Sequence, residues 1–145
     1  MLHNPVLVLA TRNAGKIKEM RKLLEKVPLT VNGLSDYPPF PEPEEDGKTF
    51  TENAVKKAVE TMRTLNQAAL ADDSGLCVYA LGGAPGVLSA RYGGEGLSDS
   101  DRCRKLLEAL KGVTDRRAAF VCVAALALPD GEVVTFEGRV EGLIT

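Results

Sequence analysis

The fold of this chain is decided by the stretch VLVLATRNAGK at residues 6–16. Residues 6–10 are apolar without interruption, which is typical of a strand that is covered on both faces. Residues 13–16 then open a helical pattern, whose apolar positions share one stripe as far as Val27 and which ends before Pro28. A buried strand that leads directly into an amphipathic helix favours an α/β fold.

The rest of the chain continues this alternation and then changes to a hairpin. The predicted elements are, in order, a strand at 29–34, a helix beginning near Thr49 with its apolar side reaching Leu65, a strand at 68–72 that continues at 76–81 after a kink at Ser74-Gly75, a helix capped by Ser98 and stopped at Gly112, and strands at 118–128 and 132–143 around the turn Pro129-Asp130-Gly131. The last helix is expected to bury Cys103, Leu106, Leu107 and Leu110. This order predicts an α/β protein with a mixed sheet.

Length and charge exclude several classes of protein. The 145 residues are enough to bury a core, and we expect residues 1–145 to form a single domain. The 18 basic and 20 acidic residues give a net charge of −2, so we expect no nucleic-acid partner. No apolar run is long enough to span a bilayer and no signal-peptide pattern occurs, so we expect a cytoplasmic protein without a membrane partner.

Cysteine and histidine chemistry is also disfavoured. Cys77, Cys103 and Cys122 are far apart and are interpreted as reduced core residues rather than a disulfide frame or a zinc site. The only histidine is His3, beside the N-terminus, which argues against catalytic triads and zinc–histidine sites. The chemistry of this chain must therefore rest on carboxylates, lysines, hydroxyls and the backbone.

The first candidate site is the strand-to-helix junction formed by Thr11, Arg12, Asn13, Ala14, Gly15 and Lys16. Backbone N–H groups and the positive end of the helix dipole favour an anion at such a junction, and Lys16 can direct its ammonium at the same anion. The GxxxxGK[ST] spacing of a Walker loop is absent. The alternative, that Asn13 only caps the helix and Lys16 is a solvated surface lysine, stays open.

The second candidate is the pair Asn53 and Lys57, which lie four residues apart and therefore on one helix face. At about 100° per residue, Lys57 falls within about 20° of Phe50 and thus on the apolar stripe. An ammonium is unusual in that position. A lysine that extends from the edge of the stripe into solvent is the alternative interpretation.

The third candidate, Asp72-Asp73, follows small apolar residues at the predicted end of a buried strand, where open α/β sheets bind ligands. Neighbouring strand residues point to opposite faces, so one carboxylate is expected to face a cleft. An Asx turn is the alternative, although a turn needs only one Asp. The acidic segment at 42–46 is typical of a solvated loop, yet with these carboxylates it could complete an oxygen shell for Mg²⁺.

The last candidate is the glycine-rich segment 82–92, where Arg91 could clamp a phosphate and Tyr92 could stack on a base. Three cations, Lys16, Lys57 and Arg91, thus accompany acids suited to a metal. This combination favours a magnesium-bound polyphosphate as the substrate.

The chain resembles the inosine/xanthosine triphosphate pyrophosphatases, which remove non-canonical purine nucleoside triphosphates. The resemblance covers almost the whole chain. It rests on LATRNAGKIKEM at 9–20, EEDGKTFTENAVKKA at 44–58, LADDSGLCVYALGGAPGVLSARYGG at 70–94 and RAAFVCVAALALPDG at 117–131. The third stretch is the most specific and distinguishes this family from the related Maf-like pyrophosphatases.

This resemblance implies Mg²⁺-dependent hydrolysis of ITP, dITP or XTP to the nucleoside monophosphate and pyrophosphate. It implies that residues 11–16 hold the triphosphate, that Asp73 accepts a proton and binds the metal, and that Glu45 is the second metal ligand. Ser74 is implied to contact the substrate, and Lys57 to line the cleft as a catalytic residue. A Maf-like enzyme and a catalytically inactive nucleotide-binding fragment are the alternatives.

The resemblance also implies an architecture and an assembly. The family has a long twisted mixed sheet, with helices flanking a central cleft, and commonly forms homodimers. The family continues past the strand that matches Gly142 to Ile144 into residues of the base pocket. We therefore expect the chain to lack a C-terminal segment, so that the preferred base cannot be read from this sequence.

Overall fold

The computed structural model describes residues 5–145, and His3 lies outside the described residues. In sequence order the strands and helices are β1 (Val6–Leu9), α1 (Ala14–Leu23), β2 (Thr30–Gly33), α2 (Phe50–Leu65), β3 (Ala68–Val78), α3 (Asp99–Ala109), β4 (Arg117–Ala127) and β5 (Val133–Leu143). Short 3-10 helices occur at Leu34–Asp36, Tyr79–Leu81 and Gly86–Arg91. The predicted order of elements is confirmed.

The five strands form one sheet in the order β2-β1-β3-β4-β5. Strand β1 is parallel to both of its neighbours, with Leu7 opposite Val31 on one side and Ala68 on the other. Strands β4 and β5 are adjacent and joined by a tight turn, in which Gly131 N donates to Leu128 O at 2.9 Å. The predicted α/β class, with a mixed sheet and flanking helices, is confirmed.

The described residues group into two compact units. The first comprises the chain up to Asp73 together with Val123–Phe136, and the second comprises Ser74–Cys122 and Glu137–Thr145. In the first unit, two hydrophobic clusters pack against α1 and α2. One cluster contains Leu7, Leu9, Ile17 and Val31, and the other contains Ala54, Ala58, Met62, Ala69, Ala71, Val123, Ala125 and Ala127. The core of the second unit is built by Val78, Leu106, Leu110 and Ala118.

Strand β3 differs from the prediction because it runs without interruption through Ser74 and Gly75. The predicted kink is wrong because Gly75 is buried in the strand and does not adopt a positive φ. The predicted continuation to residue 81 is also wrong, since the strand ends at Val78 and the 3-10 helix Tyr79–Leu81 follows, capped by Gly82, whose φ is 67°. A glycine is suited to that left-handed conformation.

Two helices bury less than the sequence pattern predicts. Helix α1 ends at Leu23 and is capped by Leu24, whose amide bonds Met20 O and Lys22 O, so Val27 lies beyond the helix and is 44% exposed. Pro28 also disfavours the helical conformation at Val27. In α3 the stripe of Leu106 and Leu110 is buried, whereas Leu107 and Cys103 are exposed. Cys103 and Leu107 lie four residues apart and form a second stripe beside the first. Because the helix packs against a single core, only the stripe of Leu106 and Leu110 is covered.

The cysteine prediction is confirmed in one respect. Cys77, Cys103 and Cys122 are not in disulfides, but Cys103 is exposed rather than a core residue, and Cys77 and Cys122 are only partly buried. Among residues 5–145, no helix is long and apolar enough to cross a membrane.

Candidate functional site

The two carboxylates of β3 point to opposite faces of the sheet, as the sequence predicts. Ala69 and Ala71 pack in the cluster of α2, and Leu70 packs in the cluster of α1. The alternation of a strand then places Asp73 on the α2 face and Asp72 on the α1 face. Each carboxylate therefore meets the polar side chains of a different helix.

Asp73 is a buried carboxylate, with 7% of its surface exposed. Burial raises the pKa of Asp73 above the ordinary value, and the neighbouring charges of Glu45 and Asp72 raise it further. A hydrogen bond from Asn53 and the charge of Lys57 lower that pKa and only partly offset the burial. Asp73 is thus a stronger base than an exposed aspartate, which suits a group that accepts a proton.

Asn53 orients Asp73 and connects it to the acidic loop. Its Nδ2 donates to Asp73 Oδ2 at 2.9 Å, and its Oδ1 accepts from Gly47 N at 2.7 Å. Asn53 is 1% exposed, so water does not readily replace either hydrogen bond when the side chain is lost. A side chain at Gly47 would place its Cβ 2.6 Å from Asn53 Oδ1, which explains the glycine at this close approach.

We expect Asn53→Ala to lower the free energy of unfolding by about 1–3 kcal/mol, because it leaves the Gly47 amide and a buried carboxylate without their partner. Urea denaturation followed by circular dichroism measures this change. Thr51→Ala, at an exposed position of the same helix, is the control and should change stability by less than about 0.5 kcal/mol. An equal loss in both variants would contradict the role of Asn53.

Lys57 does not extend into solvent. Its side chain is 16% exposed, and its ammonium donates to Glu45 Oε1 at 3.0 Å and to the backbone carbonyl of Asp72. The alternative of a snorkelling lysine therefore does not describe this residue. Lys57 places one fixed positive charge between the acidic loop and the strand that carries Asp73.

The start of α1 combines features of both interpretations given above. Asn13 caps the helix, since its Oδ1 accepts from the amides of Gly15 at 2.9 Å and Lys16 at 3.2 Å. Thr11 Oγ1 in turn accepts from Asn13 N at 3.1 Å. The amides of Gly15 and Lys16 are thus bonded rather than free. Lys16 is also more than a solvated lysine, because its Nζ lies 3.3 Å from both carboxylate oxygens of Asp72.

The other members of this segment are exposed at the surface of the first unit. Arg12 Nε donates to Glu42 Oε1 at 2.8 Å, while Ala14 carries no functional group. The first unit therefore brings the predicted residues 11–16 together with Asp72 through the Lys16 ion pair. On the other sheet face it brings Asp73, Glu45 and Lys57 together.

The residues that could hold a metal are carboxylates only. Within residues 5–145, no group of three or more His, Cys, Asp or Glu side chains is arranged to hold a metal ion. Mg²⁺ nevertheless needs only one or two protein carboxylates when phosphate and water supply the other oxygens. Asp73 and Glu45 interact electrostatically on one side of β3 and fit this requirement.

In the second unit, Ser74 continues β3 and is partly buried. Ser89 fixes the following 3-10 helix to this strand, since its Oγ accepts from Leu76 N at 2.9 Å and donates to Gly86 O at 2.7 Å. Arg91 ends that helix and is exposed. Tyr92 packs against the core of the unit, which accounts for its ring without a nucleotide base.

A family model described as the Ham1 family matches residues 7–145. The chain belongs to the Ham1 family. One relative, named dITP/XTP pyrophosphatase from Syntrophobacter fumaroxidans, is 54% identical over 143 residues, which are 99% of this chain and 62% of that protein. Another of the same name, from Desulfotalea psychrophila, is 51% identical over 97% of this chain and 63% of the relative. The chain thus spans less than two thirds of the length of these two relatives.

The fold of this Ham1-family chain is similar to that of a solved structure. The Ham1 protein of Staphylococcus aureus has a TM-score of 0.90 and 44% identity, covering 97% of this chain and 72% of that one. This agreement extends over nearly all elements described above.

Sequence reasoning missed two contacts, one in each unit. It did not predict that Asp72 pairs with Lys16, although strand alternation and the βα junction together place both on the α1 face. It also did not predict that Arg102 holds the glycine-rich loop of the second unit, by donating to Ala90 O at 3.0 Å and Leu97 O at 2.6 Å. No local pattern identifies the partner of a single arginine.

Proposed function

We propose that this chain belongs to an enzyme that hydrolyses non-canonical purine nucleoside triphosphates, ITP, dITP and XTP, to the monophosphate and pyrophosphate. The observation that carries the proposal is the buried, hydrogen-bonded carboxylate of Asp73 beside the Lys57–Glu45 ion pair. The dITP/XTP pyrophosphatase name of the relatives supports the same reaction. The whole protein would act in the cytoplasm as a homodimer and keep the nucleotide pool free of deaminated purines.

In this proposal Asp73 takes the proton from the water that attacks the α-phosphorus. The raised pKa of this carboxyl makes it a better proton acceptor than an exposed aspartate, and Asn53 fixes the oxygen that it bonds. The second oxygen of Asp73 is then directed away from Asn53. In this step the proton goes to a carboxylate rather than to a histidine.

The leaving pyrophosphate needs positive charge on its β and γ phosphates. The Lys16 ammonium bonds the Asp72 carboxylate and the Lys57 ammonium bonds the Asp72 carbonyl, so both lie beside the same residue of β3 and would supply this charge. Glu45 and Asp73 are the residues that would hold Mg²⁺, which when bound supplies further neutralisation and polarises the phosphate oxygens. Ser74 would contact the substrate from the adjoining position of β3.

Product analysis after mixing the protein with ITP and Mg²⁺, with ATP in a parallel reaction, tests the function. IMP and pyrophosphate with ATP untouched are the expected products. IDP and inorganic phosphate would overturn the pyrophosphatase mechanism. Binding of ITP without any turnover would instead identify an inactive nucleotide-binding module.

We expect Lys16→Ala to raise KM by about tenfold and to lower kcat by less, because an ammonium that contacts the ground-state triphosphate contributes to uniform binding. Steady-state kinetics with ITP measures both constants. Lys18→Ala, exposed two residues further along α1, is the control and should leave both within about twofold. An unchanged KM in Lys16→Ala would contradict the placement of Lys16 at the phosphates.

A further inference from the structure

The two cationic side chains of residues 11–16, here called the phosphate segment, already have carboxylate partners in the first unit. Lys16 pairs with Asp72, which lies 56 residues away in sequence, and Arg12 pairs with Glu42, which lies 30 residues away. These ion pairs arise from the fold rather than from helix-local spacing. A phosphate that binds at residues 11–16 therefore meets a lysine and an arginine that are already paired with carboxylates.

The Lys16–Asp72 pair has the geometry of an exchangeable contact. The ammonium lies 3.3 Å from both Oδ1 and Oδ2, which is longer than the roughly 2.7–2.9 Å of a strong charge-assisted hydrogen bond. The two side chains are 51% and 33% exposed, so solvent and ions reach the pair. Lys16 is thus held to Asp72 by two long hydrogen bonds and by charge attraction, which a more highly charged anion can replace.

The Asp72 carboxylate lies on the opposite sheet face from the Asp73 carboxylate, although its charge also acts on Asp73. Its side chain lies on the α1 face, whereas Asp73 bonds Asn53 of α2. Its backbone carbonyl accepts from Lys57. The Asp72 carboxylate is thus placed to act on the cation of the phosphate segment rather than on the attacking water.

We propose that Asp72 is an internal counter-ion of Lys16, which a polyphosphate displaces when it binds. The inference rests on the proposed function, since it concerns the same phosphate site. Asp72 competes for Lys16 and also repels phosphate, so it lowers the affinity for every anion. A triphosphate overcomes this competition because it carries several negative charges, whereas a singly charged anion does not.

The test is titration calorimetry of the protein with inorganic tripolyphosphate at low ionic strength, with a chelator to remove metal ions. Asp72→Asn should bind tripolyphosphate about three to ten times more tightly than the unchanged protein. The substitution removes an exposed ion pair that competes for Lys16 and a negative charge that repels the phosphate. Asp72→Glu keeps the charge and should bind like the unchanged protein. Asp72→Ser provides a second neutral variant, and circular dichroism checks the folding of each.

Asp36→Asn is the matched control. Asp36 also pairs with an α1 cation, Arg21 Nη2 at 3.8 Å, but in the last turn of the helix. This variant loses the same charge and should keep its affinity within about twofold. Equal gains in Asp72→Asn and Asp36→Asn would overturn the proposal, because net charge alone would then explain them.

Lys16→Ala separates the counter-ion proposal from the proposed function. Weaker binding in Lys16→Ala, with no gain in Asp72→Asn, would overturn the counter-ion and leave the phosphate site standing. Equal binding by Lys16→Ala and the unchanged protein would show that Lys16 is not at the phosphates, and both inferences at this residue would fail. A gain in affinity for tripolyphosphate in Asp72→Asn and Asp72→Ser, but not in Asp72→Glu or Asp36→Asn, supports the counter-ion role of Asp72.

Discussion

Asp73→Asn is expected to lower kcat for ITP by about a thousandfold, within the range that loss of a general base produces. The substitution removes the proton acceptor but keeps an oxygen that can accept the Asn53 Nδ2 bond of 2.9 Å. It should not lower the melting temperature, because a neutral amide replaces a carboxylate whose pKa is raised by burial. Steady-state kinetics and thermal denaturation measure the two effects.

Asp99→Asn is the control for this substitution. Asp99 is exposed in the first turn of α3, and its variant should keep kcat within about twofold. Turnover by Asp73→Asn within about tenfold of the unchanged protein would rule out the general-base role, whatever its stability. Loss of turnover together with a large drop in melting temperature would mean that Asp73 is structural.

The sequence predicts the order of elements because each is marked by local chemistry. The run at 6–10 has no polar residue, Asn13 supplies a cap, and Pro129-Asp130-Gly131 is a turn signal. Where prediction fails, the deciding contact is not local. Gly75 stays in a strand because the surrounding sheet keeps it extended, and Cys103 is exposed because a single core covers a single helix stripe.

The residues of the candidate site can also be predicted from the sequence, whereas their contacts cannot. Adjacent carboxylates at 72–73 and a lysine on the apolar stripe of α2 are visible without a structure, because each departs from what a structural residue requires. Their partners are not visible, because a strand pairs a side chain with residues distant in sequence. Asn53 illustrates this limit, since its two bonds join Gly47 and Asp73, which lie on opposite sides of it in the chain.

Lys57→Met is expected to lower kcat for ITP by about a hundredfold to a thousandfold, the range for loss of one preorganised charge at a developing anion. Methionine keeps the apolar stem of a side chain that is 16% exposed and removes only the ammonium. Glu45 then loses its bond of 3.0 Å, and the leaving phosphate loses a positive charge. Steady-state kinetics with ITP measures kcat, and urea denaturation measures stability.

Lys56→Met is a stringent control because it removes the same charge one residue earlier. Lys56 pairs with Asp46 at 2.8 Å, and the Asp46 side chain is 63% exposed, so solvent screens this surface ion pair and it contributes little. Its kcat should therefore stay within about twofold. If both variants lose activity equally, the general positive charge of α2 accounts for the loss. If only Lys57→Met does, the position of one ammonium between Glu45 and the Asp72 carbonyl determines turnover.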